Sequence, residues 1–270
     1  MFKTKRILID GLQIYPSIVY ASTLTGLIAS GEKTQDIAEL MSDGGIIGNS
    51  KINSKKINLA ISIKKDNDIR SYLDLSRIFS KRKFLIQVEY DYIGIVETHV
   101  FAESWAVDED GNMAIVGVIE NPYVESNTLK EIELGVIKEG GVFIGKSNSN
   151  FPITFDTKIS GNKGSVVNNC ISKCWSIIEI KGVCSNIDIF NETTNERMKV
   201  NIDLGINDKL IIDSRPSTRG IYLNGQPRPD LKNGNWISIV EGENIFKFNR
   251  TASMSDTTKH CKVMFRERWI

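Results

Sequence analysis

The chain has 270 residues, with 41% hydrophobic and 25% charged residues, the balance of an ordinary globular protein rather than a disordered one. Its 34 basic and 33 acidic residues leave a net charge of +1, which excludes the strongly basic footprint of a generic nucleic-acid or membrane binder. The balance differs along the chain: residues 1–140 hold 16 basic and 20 acidic side chains, a net −4, and the remainder is +5.

The chain starts with Lys3, Lys5 and Arg6 before an apolar Ile7-Leu8-Ile9, but Asp10, Gln13 and Pro16 interrupt the run too early for a signal peptide. No stretch reaches the roughly 18 apolar residues of a membrane span. Thr34 to Met41 fits either a short helix or a strand leading to the turn at Asp43-Gly44-Gly45. From Lys56 a strict period of two begins: Ile57, Leu59, Ile61 and Ile63 face one side, and Lys56, Asn58, Ala60 and Ser62 the other, as in a half-buried strand.

Asn67 to Ser80 breaks this pattern. Ile69, Tyr72, Leu73 and Phe79 recur at near-helical spacing, Arg70, Asp74, Arg77 and Ser80 face water, and Asp66 or Asn67 caps the start. Alternation then resumes at Phe84-Ile86-Val88-Tyr90. Asp110-Gly111 between Phe101–Val107 and Met113–Ile119 predicts a hairpin, because a type I′ turn needs positive φ at both central residues.

Gly140-Gly141 and the polar Lys146-Ser147-Asn148-Ser149-Asn150 read as a linker, which predicts two domains, 1–145 and 146–270. In the second half, Met198-Val200-Ile202-Leu204 and Cys261-Val263-Phe265 alternate, and Asn224-Gly225 marks another hairpin. Short strands at 8–12-residue spacing predict a β-sandwich. The fold class is mainly β, with one helix in the N-terminal half.

No catalytic constellation stands out. Gly140-Gly141-Val142-Phe143-Ile144-Gly145-Lys146-Ser147 satisfies P-loop spacing, but Asn148 to Phe155 with Pro152 cannot continue as the helix whose N-terminus would hold phosphate. His99 and His260 are the only histidines. Cys261 is adjacent to His260, so on a strand the two point to opposite faces and form no nucleophile–base pair. Cys170, Cys174, Cys184 and Cys261 are too few for a disulfide scaffold and lack the paired knuckles of a zinc site, so buried reduced thiols are the reading.

Asp108-Glu109-Asp110-Gly111-Asn112 resembles half a calcium loop but lies on a predicted hairpin tip and reads as a solvated turn. Asn191-Glu192-Thr193 and Asn249-Arg250-Thr251 match glycosylation acceptors that have no meaning without secretion. Trp175, Trp236 and Trp269 fit core or interface positions, with sugar stacking as the alternative. No catalytic, cofactor-binding or metal-ligating residue is assigned, and no cofactor is expected.

The order of these pieces carries a resemblance. It begins at Gly11-Leu12-Gln13-Ile14 and runs through Ser42-Asp43-Gly44-Gly45, the strand from Lys56 to Ile63, the helix Asp68 to Ser80 and the strand from Phe84. It resumes with Ile221-Tyr222-Leu223-Asn224-Gly225, Trp236 to Val240, Glu241-Gly242-Glu243-Asn244-Ile245 and the closing Phe265-Arg266-Glu267-Arg268-Trp269. In these the chain resembles the distal tail protein family of long-tailed bacteriophages, over nearly its whole length.

The resemblance implies a non-enzymatic structural component of the virion tail, assembled in the host cytoplasm by a phage or a prophage-derived particle. It implies an N-terminal β-barrel-like domain with one helix that closes a homo-hexameric ring, and a C-terminal galectin-like β-sandwich. The ring would join the tail tube to tail tip or baseplate proteins and to receptor-binding proteins, with no nucleic acid or membrane as partner. Galectin sugar sites gather His, Asn and Arg beside a Trp, and only His260 is available in the second half, so carbohydrate is not the expected ligand. The competing reading is a carbohydrate-binding β-sandwich module for bacterial surface polymers.

Overall fold

The structure, a computed structural model, describes residues 3–28, 33–39, 45–63, 69–110, 112–144, 153–251 and 260–270. Two compact units divide it: Met1–Thr128 with Arg268–Ile270, and Leu129–Glu267. The division thus falls between Thr128 and Leu129 rather than near Gly145. Gly140 and Gly141, expected in a linker, lie inside a strand, and Lys146–Asn150 lies outside the described residues.

The first unit is built from β1 (Thr4–Ile9), β2 (Leu12–Tyr15), β3 (Val19–Thr25), β4 (Lys33–Glu39), β5 (Gly45–Ile52), β6 (Lys55–Ile63), α1 (Ile69–Phe79), β7 (Lys83–Tyr90), β8 (Gly94–Val107) and β9 (Asn112–Ile119), and β10 (Val124–Leu134) begins in it. The segment 34–41, ambiguous in sequence, contributes a strand, β4, paired with β5; Ser42 to Gly44 lie outside the described residues. Antiparallel pairing runs β2–β1–β7–β8, then β8–β9, β9–β6 and β6–β3.

Alternation in β6 has the expected result: Ile57, Leu59, Ile61 and Ile63 are buried, while Lys56, Asn58 and Ala60 are exposed. Phe84, Ile86, Val88 and Tyr90 of β7 enter the same core. α1 adds Leu75, Ile78 and Phe79, with the Phe79 and Phe84 rings edge-on at 5.5 Å. Leu73, expected on the inner face, is 50% exposed; it lies roughly 200° around the helix from Leu75. The proposed caps Asp66 and Asn67 lie outside the described residues. Trp269, from the end of the chain, packs against this first core and not the second.

The second unit continues with β11 (Val136–Ile144), β12 (Ile153–Gly161), β13 (Lys163–Asn168), β14 (Cys174–Trp175), β15 (Ile177–Lys181), β16 (Ser185–Asn191), β17 (Glu196–Val200) and β18 (Lys209–Asp213). There follow β19 (Gly220–Leu223), β20 (Gln226–Pro227), a 3-10 turn at Pro229–Leu231, β21 (Asn233–Gly234), β22 (Ser238–Ile239), β23 (Gly242–Thr251) and β24 (His260–Trp269).

These strands form a sandwich. One sheet runs β24-β15-β18-β19-β20 and the other β13-β23-β16-β17-β21. Ile178, Ile180, Leu210, Ile212, Val263 and Phe265 from the first meet Ile187, Ile189, Met198, Phe246 and Phe248 from the second in one core. Each such side chain contributes roughly 1.5–3 kcal/mol by leaving water. Asn224 (φ 50°) and Gly225 (φ 81°) form the predicted tight turn between β19 and β20. The run Met198 to Leu204 is not one strand: the ladder stops at Val200, and Leu204 makes an isolated bridge to Cys184.

Candidate functional site

The residues weighed for chemistry are dispersed. His99 stands exposed on β8, opposite Leu85 of β7. All four cysteines are buried, and burial pushes the Cys261 thiol well above its ordinary value, away from nucleophilic use. Among the described residues no group of three or more His, Cys, Asp and Glu side chains is placed to hold a metal ion.

Gly140 to Ile144 of the P-loop-like motif are paired in β11 against β12, with Gly140 opposite Thr157, so this part of the motif is a ladder and not a phosphate-cradling turn. Gly145, Lys146 and Ser147 lie outside the described residues. At the β8–β9 tip, Asp108 accepts from the Asn112 backbone N–H at 2.7 Å and from its side-chain amide at 2.8 Å. Gly111 lies outside the described residues. Asn191 is fully buried and donates to the Ser238 carbonyl at 2.8 Å, while Asn249 is exposed.

Among the described residues, Trp175 and Trp236 mark a concentrated feature. β14 pairs with β22, setting Trp175 opposite Ser238, two residues beyond Trp236. Arg219, just before β19, lies 5.1 Å from the Trp175 ring centre and 5.6 Å from that of Trp236. Lys173 sits 4.9 Å from the Trp175 ring and Lys232 5.5 Å from the Trp236 ring. Cations alternate with indoles in a row in which each ring attracts positive charge through its quadrupole. Next to it opens a cavity of about 150 Å³ lined by Gly220, Ile221, Tyr222, Pro227, Pro229, Lys232 and Trp236.

A buried polar network fixes this row. The Ser176 hydroxyl donates to the Ile237 carbonyl at 2.8 Å, and the Ile237 N–H donates to the Ser214 hydroxyl at 3.2 Å. Both the N–H and the hydroxyl of Ser238 donate to Glu196 Oε2 at 2.6 Å. Burial raises the affinity of Glu196 for a proton, but the Ser238 bonds and Lys173 outweigh it and hold the carboxyl below its ordinary range. Asp213 fixes the loop that carries Arg219: it accepts from the Arg215 guanidinium at 2.7 and 3.0 Å and from the Thr218 hydroxyl at 2.7 Å.

Trp175 and Trp236 stand out in the sequence, but Arg219 and the two lysines do not: they lie up to 63 positions from these tryptophans, and sheet folding brings all five into one row. The arrangement has no acid–base or nucleophile pair at its centre. It offers cationic heads and an apolar recess, a surface for binding.

Comparison with known proteins agrees with a structural part. No curated protein matches the chain. The crystal structure of the SPP1 Dit (gp 19.1) protein, described as a paradigm of the hub adsorption apparatus in phages infecting Gram-positive hosts, shares the fold with a TM-score of 0.65 over 100% of both chains, at 10% identity. Residues 171–269 match the family model of the siphovirus-type tail component, C-terminal domain. That match and the shared fold bear out the resemblance to the phage distal tail protein family.

Proposed function

We propose that the protein is a ring-shaped adaptor of six copies in the virion tail, joining the tail tube to tail tip or baseplate and receptor-binding proteins. The first unit closes the ring, and the second, a galectin-like sandwich, faces outward. The observation that carries this reading is the match of residues 171–269 to the tail-component model. The first unit supplies a physical seat for self-association. β8 pairs with β7 only as far as Phe101, and beyond it Ala102–Val107 has β9 alone as partner among the described residues. Trp105 and Val107 on that open edge are 40% and 44% exposed, and an unpaired apolar edge is stabilised by a neighbouring copy in a closed assembly.

The carbohydrate-module reading is not favoured: Lys173, Arg219 and Lys232 already lie against the two indoles on which a sugar would stack. Light scattering over a concentration series and negative-stain microscopy test the adaptor. Six-membered rings are expected, weakened by Val107→Lys; a protein that stays monomeric with and without tail tube and tip proteins overturns it.

A further inference from the structure

We propose that the recess beside Trp236 is a docking site for an acidic segment of another protein, with one bulky apolar side chain inserted and flanking carboxylates on Arg219 and Lys232. The charge pattern carries this. Among the described residues no carboxylate pairs with Arg219 or Lys232: Arg219 Nε donates to the Ser214 carbonyl at 3.3 Å, and Lys232 Nζ to the Gly234 carbonyl at 2.9 Å. The acids around them are engaged elsewhere, Asp213 with Arg215, Asp230 with Arg228, and Glu196 with Lys173. Two cations therefore flank Trp236 with their charge uncompensated, a field that draws and orients an anion.

The recess specifies the rest. Ile221, Tyr222, Pro227, Pro229 and Trp236 give it an apolar wall, and the Tyr222 hydroxyl is turned to the Thr218 carbonyl at 3.2 Å. A sugar ring needs several convergent polar groups, and Lys232 is the one charged group in the lining. A cavity of about 150 Å³ suits a single aromatic or large aliphatic side chain. Tryptophan, tyrosine and arginine around such a pocket are the residue types that carry most binding energy at protein interfaces. The β19–β20 turn and the hydrogen-bonded Trp236–Ile239 segment hold the walls in place, so little ordering cost accompanies docking.

The inference rests on the adaptor reading only for the kind of occupant, another protein; ring formation and docking are measured separately. The test titrates the full chain, followed by tryptophan fluorescence and calorimetry, with a short capped peptide bearing a central phenylalanine between aspartates. Saturable binding is expected, about tenfold weaker for a peptide with serine in place of phenylalanine, for one with asparagines in place of aspartates, and for Arg219→Glu or Lys232→Glu. Both residues are exposed, so these variants fold, and circular dichroism checks it. No saturable binding, binding indifferent to Arg219→Glu, or binding of an anionic polysaccharide in preference to the peptide overturns the proposal. So does self-association abolished by Arg219→Glu in the absence of peptide, which assigns the recess to a second copy.

Discussion

Glu196 takes both the N–H and the hydroxyl of Ser238 on a single carboxylate oxygen, each at 2.6 Å, and so ties the end strand β22 to β17. Two charge-assisted bonds to one acceptor hold the segment that begins at Trp236 more firmly than the two-residue β14–β22 ladder can.

This link makes stability acid-sensitive. The Glu196 carboxyl is held below its ordinary value of 4.5, so its contribution is complete above that pH and disappears as pH falls through the lowered folded value. Glu196→Gln keeps an acceptor but loses the charge, and is expected to cost about 1–2 kcal/mol at neutral pH. Urea unfolding at a series of pH values should show a shallower acid slope for Glu196→Gln than for the parent; identical slopes would refute this role.

Asp213 is the second anchor. It is 5% exposed, and Arg215 and Thr218 hold its carboxyl below the ordinary range against the opposing effect of burial. Asp213→Ala leaves the Arg215 guanidinium without its bidentate partner and loosens the loop before Arg219. A loss of about 2–3 kcal/mol is expected in chemical denaturation, together with weaker binding of the acidic peptide. Retained stability would show the pair to be of little structural weight.

Much of the fold was legible because period-two alternation reports burial directly, as in β6, where every odd position from Lys55 to Ile63 turns inward. The tight turn at Asn224-Gly225 was readable for the same local reason. Asp10-Gly11 forms an equivalent turn, with φ 47° and 82°, but beside Ile7-Leu8-Ile9 in the sequence Asp10 stands out first as an interruption of an apolar run. The division of the chain was not legible, because β10 carries the backbone from Val124 to Leu134 across it as one continuous strand. Gly140-Gly141, which composition marks as a linker, instead lies opposite Asp156 and Thr157 in a regular hairpin. The Trp175–Arg219–Trp236 row was half visible: aromatic residues draw notice alone, but an arginine between two of them is a product of sheet topology.

Gly234 is expected to tolerate no side chain. It has φ 120°, and a Cβ built there would lie 2.2 Å from the Arg197 carbonyl oxygen, a backbone atom that cannot swing aside. Its pairing with Met198 in β17–β21 would open, shifting the Lys232–Trp236 segment. Gly234→Ala should lower stability by about 2–3 kcal/mol, read as a drop in thermal midpoint, and a neutral effect would contradict the close approach.

Lys55 gives a prediction of opposite sign. Alternation in β6 places it on the inner face with Ile57, where it is 5% exposed and its ammonium donates to the Leu27 carbonyl at 2.5 Å. Burial pushes its pKa down from 10.5 to about 8. Between these values the unfolded chain binds more protons than the folded one, so this group makes stability rise with pH from about 8 to 10.5 and is most costly below that window. Lys55→Met fills the same volume without charge. At pH 7 it is expected to leave stability unchanged or raise it by about 1 kcal/mol, the lost bond to Leu27 offsetting part of the gain. The difference from the parent should shrink as pH rises through the window. Urea midpoints at pH 7 and pH 10 measure both effects, and a Lys55→Met variant markedly less stable at pH 7 would mean that the Leu27 bond outweighs the cost of burying the amine.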